Sequence, residues 1–466
     1  MKHLFRTPAA LIYKPIQMLL FQNLSKQQWA GFLKLLAATL VSQSASYITL
    51  LVISRLLGIE LFGRFAAVSA TLTACFGLST LGIGVMATRF VARFYKVDPA
   101  RCGRILGLSH LASIASGCLL AIFLFLGAEI LSVQLFRSSA YADLLRIAAL
   151  CCPLMSLNAY QTGALLGFQS FESLLRTQLI NSLFSLSFTT VLCYQYSLRG
   201  AVLAIFLSHC CAYLILRATL SGDLRSHQIA ITFRDCWNER ATLVDFAIPA
   251  AISGIIGSSA VWLAQYCLIR SAYGTTELAL WTVASSIRAI VLLAPGVFAK
   301  SSGPIISSLH DSDEGQTYAQ TLWSTTAVST GSALVFGGLC TLVFPLWLAA
   351  WGASYQGAGV LLPIIVASAA LEAYSSAVSQ SLVAHGKLKL QLVIISVWAA
   401  TLLCISVLGV ERFGSLALAV GYLMAWITSA LGYTFITLKL IALRKLQRAP
   451  RRTVLDSCPN TAVVSI

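Results

Sequence analysis

The sequence predicts an all-α polytopic membrane protein with twelve transmembrane helices in two lobes of six. Three observations predict this fold class. Hydrophobic residues make up 58% of the 466 residues and charged residues only 10%, too few charges to cover a soluble surface. Apolar runs of about 20 residues recur along the chain, and a backbone inside lipid satisfies its own hydrogen bonds when it is helical. The 32 basic residues, against 16 acidic ones, concentrate between those runs.

The hydropathy pattern divides the chain into twelve spans bounded by polar or charged residues. Each is long enough for a helix that rises 1.5 Å per residue to cross a hydrocarbon core of about 30 Å. In chain order, the predicted spans are 32–54, 65–87, 105–127, 144–166, 178–196, 201–220, 242–267, 278–299, 321–342, 360–383, 392–410 and 415–438.

The distribution of Lys and Arg predicts the orientation of these spans. If the N-terminus is cytoplasmic, about 23 basic residues fall in cytoplasmic segments. Six fall on the opposite side, namely Arg55, Arg64, Arg137, Arg199, Arg270 and Arg412. Both termini are therefore predicted to be cytoplasmic. The basic cluster from Arg89 to Arg104 is interpreted as anchoring to anionic lipid rather than as a nucleic-acid site.

A long polar connection in the middle of the chain separates six spans from six. The predicted organisation is an interfacial N-terminus at 1–31, an N-terminal lobe at 32–220, a cytoplasmic linker at 221–241, a C-terminal lobe at 242–438 and a basic cytoplasmic tail at 439–466. The two halves contain a weak sequence repeat. Gly58 and Glu60 follow the first span of the N-terminal half, and Gly274 and Glu277 follow the first span of the C-terminal half. Two such lobes are expected to be related by an axis along the membrane normal.

The sequence carries no motif for covalent chemistry. It contains no Gly-x4-Gly-Lys-[Ser/Thr] loop for nucleotide phosphates, and the connections on the predicted outer side are too short for a catalytic domain. The 13 cysteines include no Cys-x-x-Cys pair and lie mostly within spans, so we assign neither a disulfide nor a metal site. The chain is expected not to be an enzyme and to need no cofactor.

Three short motifs resemble those of one transporter family. They are Arg55-Leu56-Leu57-Gly58-x-Glu60-x-Phe62-Gly63, then Leu81-Gly82-x-Gly84 with Arg89, then Gly163-Ala164-Leu165-Leu166-Gly167-Phe168-Gln169 before the fifth span. Together with the span number and the repeat, they resemble the polysaccharide-transporter branch of the multidrug/oligosaccharidyl-lipid/polysaccharide (MOP) superfamily. This branch contains the Wzx-type flippases of lipid-linked oligosaccharides, and the resemblance covers residues 32–438.

The resemblance implies a MATE-like pair of six-helix lobes that alternates between inward-open and outward-open states. It implies a flippase in the bacterial inner membrane that turns a polyprenyl-diphosphate-linked oligosaccharide from the cytoplasmic to the periplasmic leaflet. The product would serve the biosynthesis of a cell-surface polysaccharide such as O-antigen, capsule or exopolysaccharide. The implied partners are the lipid-linked glycan, the bilayer and a polysaccharide polymerase or export machinery. The alternative is a cation-coupled multidrug exporter of the same superfamily, which is expected to present acidic groups to its cationic substrates.

Arg288 lies near the middle of the eighth predicted span, where a cation costs at least about 2.5–3.5 kcal/mol. It therefore needs a cavity or a partner. Trp281, Ser285 and Arg288 are spaced i, i+4, i+7, so that one helical face combines an aromatic ring, a hydroxyl and a guanidinium. This face suits a sugar diphosphate, because Arg offers bidentate contacts to phosphate and aromatic rings stack on sugars. The alternative is an interhelical ion pair that holds the lobe together.

Glu372, near the middle of the tenth span, is the matching acid. It is either the partner that neutralises Arg288 or a protonatable group that couples transport to an H⁺ or Na⁺ gradient. Burial favours its neutral form and pairing with Arg288 favours its ionised form, so both interpretations stay open.

Five further residues complete the set of candidate substrate contacts. Gln43 and Ser46, on one face of the first span, either bind sugar hydroxyls or make interhelical hydrogen bonds. Arg55 and Arg270 close equivalent spans of the two lobes, where they either pair at the outer mouth or extend to lipid headgroups. Arg89 ends the second span on the cytoplasmic side, where it either meets the diphosphate or anchors the helix to lipid.

Overall fold

The part of the chain that the structure describes is built from helices joined by turns and short irregular segments, which confirms the predicted all-α class. The structure is a computed structural model, and it describes residues 26–80, 82–240, 248–296, 298, 315–385 and 387–448. Most of the predicted N-terminal segment, and the end of the predicted tail, lie outside these ranges.

Seven helices form the N-terminal half. They are α1 (Lys26–Ser79), α2 (Ile83–Phe94), α3 (Pro99–Leu126), α4 (Ala128–Phe136), α5 (Ala142–Ala149), α6 (Cys151–Gly167) and α7 (Phe171–Ser226). Helices α1 and α7 are each about twice the length of a span and are broken once, at Gly58 (φ 69°) and at Ser197 (φ 50°). Each break falls between two predicted spans, so that α7 holds two of them and α1 holds one and most of a second.

The predicted span 65–87 is interrupted in the structure. Helix α1 ends at Ser79 and α2 begins at Ile83, after Gly82 in the left-handed region at φ 66°. The carbonyl oxygen of Ser79 accepts hydrogen bonds from the hydroxyls of Ser116 (2.7 Å) and Ser156 (3.2 Å). Side chains of α3 and α6 thus satisfy a backbone group at the end of α1, which lets the helix stop inside the bundle.

Six α-helices form most of the described part of the C-terminal half. They are α8 (Ile248–Arg270), α9 (Gly274–Val291), α10 (Gly315–Trp351), α11 (Ala358–Ala384), α12 (Leu388–Phe413) and α13 (Ser415–Arg448). The carboxylate of Glu277 accepts hydrogen bonds from the backbone amide (3.0 Å) and the hydroxyl of Ser415. The acidic residue of the sequence repeat therefore caps the start of α13.

Nine helical stretches of the described chain are long and apolar enough to cross a membrane. Two of them lie in the broken helices, α7, which contains two predicted spans, and α1, which contains one and most of a second. Helix α9, which carries most of the predicted span 278–299, is not among the nine. The structure thus supports a multi-pass membrane protein, and the number twelve stays a prediction.

Two motifs that carried the family resemblance pack against each other. A Cβ atom at Gly163 of α6 would lie 2.1 Å from the carbonyl oxygen of Gly84 in α2, so the two backbones touch where neither residue has a side chain. Thr88 donates a hydrogen bond of 2.9 Å to the carbonyl oxygen of Gly163 across the same seam. Small residues that let helices approach closely are the usual interface of membrane helices.

The predicted linker folds back onto the N-terminal half. Helix α7 continues to Ser226, and beyond it the amide of Thr232 donates a 3.2 Å hydrogen bond to the carbonyl of Gly103 in α3. The side chain of Glu239, 9% exposed, forms ion pairs with Arg101 (3.1 Å) and Arg104 (3.5 Å). These two arginines of the basic cluster therefore hold the linker, in addition to any contact with lipid.

Candidate functional site

A cavity of about 480 Å³ lies between the two halves of the protein. Its N-terminal wall is the second part of α1, and its C-terminal wall is built by α8, α9, α12 and α13.

The wall from α1 consists of small residues. Ala66, Ala70 and Ala74 recur at intervals of four and so share one helical face, with the hydroxyls of Ser69 and Thr73 beside them. The indole of Trp262 in α8 donates a 3.1 Å hydrogen bond to the hydroxyl of Thr71 and holds α8 against α1. The small side chains keep space open where the two halves meet.

The wall from the C-terminal half is rich in aromatic residues. The ring centroids of Trp398 and Trp426 are 5.4 Å apart, and those of Trp398 and Tyr422 are 6.1 Å apart in an edge-to-face arrangement. Trp262 stacks on Tyr266 at 5.5 Å. Aromatic pairs at such distances hold one another in place, so the wall presents rigid apolar faces to the cavity.

Arg288 and Glu372 form an ion pair at this site. The Nε and Nη2 atoms of Arg288 both donate hydrogen bonds to Oε2 of Glu372, the first at 2.8 Å. The side chains are 24% and 18% exposed, and the guanidinium carbon lies 5.3 Å from the ring centre of Tyr422. Arg288 therefore has the partner that its position in the bilayer demands, and the pair ties α9 to α11.

The predicted face of Trp281, Ser285 and Arg288 divides between the cavity and the protein core. Ser285 and Arg288 line the cavity. Trp281 is buried, with 2% exposure, and its ring lies 5.0 Å from that of Tyr422. Trp281 therefore supports the ring of Tyr422, and that ring contacts Arg288. Helix α9 ends at Val291, so Arg288 lies in its last turn rather than at its middle, where a cation also complements the helix dipole.

Three other predicted contacts lie apart from the residues that line this cavity. Gln43 and Ser46 are exposed on the first part of α1, and the hydroxyl of Ser46 donates a 2.9 Å hydrogen bond to the carbonyl of Ser42 in the same helix. Arg89 is exposed on α2, with its guanidinium 5.9 Å from the ring centre of Phe90. Their roles in substrate binding stay predictions.

Arg55 and Arg270 lie at the end of the bundle that is predicted to face the periplasm. The side chain of Arg55 binds the carbonyls of Ala350 and Ala349 in α10, at 2.5 and 2.7 Å. Arg270 contributes its backbone carbonyl, which accepts a 3.2 Å hydrogen bond from Nη2 of Arg137. Both contacts cross between the halves. Arg55 makes its contact with its side chain, whereas Arg270 makes its contact with its backbone carbonyl, so the two arginines do not act equivalently.

An aromatic cluster near Arg55 packs the two halves against each other. The ring of Phe62 in α1 lies 6.0 Å from that of Trp351 and 5.9 Å from that of Tyr355. The indole of Trp351 donates a 2.7 Å hydrogen bond to the hydroxyl of Tyr47. Because these residues belong to α1, to the end of α10 and to the segment after it, the cavity is separated from this end of the bundle by packed side chains.

Sequence reasoning missed the aromatic wall of the cavity. A signal was present in the twelfth span, where Tyr422, Trp426, Ser429 and Tyr433 follow the spacing i, i+4, i+7, i+11 of a single helical face. All four line the cavity. Among the described residues, no group of three or more His, Cys, Asp or Glu side chains is placed to hold a metal ion.

Several solved transporters share this fold. A multidrug resistance MATE family transporter of the MOP superfamily in an inward-facing conformation matches with a TM-score of 0.67 and 15% identity, over 94% of this chain and 99% of that one. An outward-facing conformation of such a transporter has a TM-score of 0.64 and 15% identity, over 89% and 96%. A MOP superfamily transporter from Pyrococcus furiosus, described as having a binding pocket of reversed polarity, has a TM-score of 0.67 and 15% identity, over 89% and 96%.

At this identity, the likeness shows the fold, which is that of the MATE and MOP transporters. No curated protein matches the chain. A sequence model described as polysaccharide biosynthesis protein matches residues 28–310, which is more than half of the chain. The chain therefore belongs to the polysaccharide biosynthesis protein family, as the motifs at Gly58, Gly84 and Gly163 predict.

Proposed function

We propose that the protein is a flippase that moves a polyprenyl-diphosphate-linked oligosaccharide from the cytoplasmic to the periplasmic leaflet of the bacterial inner membrane. The family and the transporter fold support movement of a polysaccharide precursor across a membrane. The glycan head would occupy the cavity between the halves, while the polyprenyl tail stays in the bilayer. The two halves would rock around the cavity to expose it to each side in turn.

The observation that carries this proposal is the chemistry of the cavity. Its wall combines partly exposed aromatic rings, such as Trp262 and Trp426, with hydroxyl and amide groups, such as Ser285 and Gln265. Aromatic faces pack against the apolar faces of sugar rings, and hydroxyls and amides offer both donors and acceptors to sugar hydroxyls. A polar glycan needs such a wall because it cannot cross the hydrocarbon core unaccompanied.

Glu372 is the proposed coupling residue for an H⁺ or Na⁺ gradient. It is an acid within the membrane-spanning bundle, and intramembrane acids commonly mark ion pathways. Its ion pair with Arg288 supports the first of the two roles considered from the sequence. The two roles are compatible, because a proton on Glu372 would release Arg288 and so change the contact between α9 and α11.

The proposed location is the bacterial inner membrane, with several spans and both termini in the cytoplasm. The excess of Lys and Arg in the predicted cytoplasmic segments supports this orientation. In that location, a polysaccharide polymerase or export machinery would receive the flipped glycan. No catalytic step is assigned to this chain.

Deletion of the gene tests the proposal. Cells that lack the protein are expected to accumulate lipid-linked oligosaccharide on the cytoplasmic leaflet, where enzymes added to intact spheroplasts do not reach the glycan. Expression of the wild-type gene from a plasmid should restore access from the outside. If the glycan does not accumulate and the cells instead become sensitive to cationic drugs, the multidrug exporter is the correct assignment.

A further inference from the structure

The net charge of the central cavity indicates which part of the substrate it holds. Arg288 is the charged residue among the described side chains that line the cavity. Two nitrogen atoms of its guanidinium are already bound to Oε2 of Glu372. The positive charge at the wall is therefore matched by a negative charge in direct contact with it.

A diphosphate group is poorly suited to such a site. A diphosphate diester carries about two negative charges, and its binding depends on charge-assisted hydrogen bonds from groups with net positive charge. The Nε–Nη2 edge of Arg288 is occupied, and a phosphate at the remaining nitrogen would lie close to the carboxylate of Glu372. Like charges at that separation repel strongly when little water lies between them.

The remainder of the wall is uncharged and suits a neutral sugar. Trp262 and Trp426 are partly exposed and provide aromatic surface, which the buried Trp398 and Tyr422 support, and Thr282 provides one of several hydroxyls. The indole nitrogens of Trp398 and Trp426 have no hydrogen-bond partner within the described part of the chain. A volume of about 480 Å³ lies in the range of small-molecule sites, which is roughly 300–1,000 Å³. This suits a short segment of a glycan rather than a whole polymer.

We propose that the cavity binds an uncharged pyranose segment of the glycan by aromatic stacking and neutral hydrogen bonds, and that the diphosphate is not seated on Arg288. This inference rests on the proposed function, and it differs from the sequence-based expectation that Arg288 receives the diphosphate. Arg288 and Glu372 together act as one charge-balanced unit, which positions Tyr422 and offers hydrogen bonds to sugar hydroxyls.

Tryptophan fluorescence of the full chain in lipid nanodiscs tests this assignment. The probes are methyl pyranosides of neutral hexoses and N-acetylhexosamines, and inorganic pyrophosphate. At least one glycoside is expected to give a saturable change whose midpoint stays the same within about twofold between about 50 and 500 mM NaCl, because no net charge is involved. Pyrophosphate is expected to give no saturable change.

Variants assign the signal to the cavity. Trp426→Ala is expected to weaken glycoside binding at least about tenfold, and Trp426→Phe, which retains an aromatic ring, at least about threefold. Trp237→Ala is the matched control, because Trp237 lies on the linker and is exposed. It should leave the midpoint unchanged.

Two results would overturn the inference. One is a saturable pyrophosphate signal that disappears in Arg288→Gln, and the other is the absence of a saturable signal from every glycoside. The proposed function fails by a different result, namely normal access to lipid-linked oligosaccharide from outside cells that lack the gene. The two failures are therefore distinguishable.

Discussion

Arg55 of the N-terminal half binds the backbone of Ala350 in the C-terminal half. Its Nε atom donates a 2.5 Å hydrogen bond to the Ala350 carbonyl, and its Nη2 atom a 2.7 Å hydrogen bond to the carbonyl of Ala349. Both carbonyls lie in the last turn of α10, where no intrahelical amide satisfies them. A cation at this position also meets the negative end of the helix dipole. The halves are thus joined by charge and by hydrogen bonds at the end predicted to be periplasmic.

Removal of this contact should loosen that end of the protein. We expect Arg55→Gln to increase amide hydrogen exchange severalfold in the segments 47–58 and 349–358, measured by mass spectrometry in nanodiscs. Arg64→Gln is the control, because Arg64 binds Glu60 (2.6 Å) and Tyr141 within its own half. Equal exchange in wild type and Arg55→Gln would contradict the role of Arg55 in holding the halves together.

The ion pair between Arg288 and Glu372 should contribute to stability as a unit. Arg288→Gln leaves the partly buried carboxylate of Glu372 without its partner, which is expected to lower the free energy of unfolding by up to about 3–5 kcal/mol, the range for a fully buried pair. The double variant Arg288→Met/Glu372→Met removes both charges and should recover most of that loss. Thermal unfolding in detergent, followed by size-exclusion chromatography, measures both effects.

An exposed ion pair provides the comparison. Arg176 and Glu172 are 73% and 53% exposed at a separation of 2.6 Å, so Arg176→Gln is expected to cost only about 0.5 kcal/mol or less. If the double variant at Arg288 and Glu372 is no more stable than Arg288→Gln, the unpaired charge of Glu372 does not explain the loss of stability in Arg288→Gln.

Glu372→Gln tests ion coupling at the same pair. Glutamine retains an oxygen that accepts hydrogen bonds from Arg288, but it cannot take up or release a proton. We expect the variant to lose transport that depends on a proton or sodium gradient, measured as flipping of lipid-linked oligosaccharide in energised vesicles. Wild-type transport in Glu372→Gln, at equal amounts of folded protein, would remove the coupling role.

The seam between α2 and α6 should not tolerate a side chain at Gly163. A Cβ atom there would lie 2.1 Å from the carbonyl oxygen of Gly84, so Gly163→Ala must push the helices apart, at a cost of about 1–3 kcal/mol or more. Gly331→Ala in α10 is the matched control, since nothing lies within 4 Å of its Cβ position. That control is expected to be neutral or slightly stabilising, because Ala favours a helix over Gly. Unfolding temperatures that fall equally in both variants would argue against the close contact.

The candidate site was predictable only in part from the sequence. Arg288 and Glu372 stand out because a charge inside an apolar span is rare and costly, so each needs a partner or water. The sequence left open whether Glu372 pairs with Arg288 or couples transport to an ion gradient, and the structure shows the pair. Arg55 stands out as a charge at a span end, but its partners are backbone carbonyls 294 and 295 residues away, and a backbone carbonyl leaves no trace in sequence.

The sequence by itself determined the all-α, multi-pass fold class and the span boundaries at which the helix breaks of Gly58 and Ser197 lie, because hydropathy is a property of short segments. Only the tertiary structure decided that Tyr422, rather than Trp281, faces the cavity beside Arg288, and that α1 stops at Ser79. The rotation of each helix about its axis depends on contacts with helices distant in the chain, such as the hydroxyls that satisfy Ser79. Those contacts exist only when the helices are packed together, and they determine which of the polar and aromatic side chains form the site.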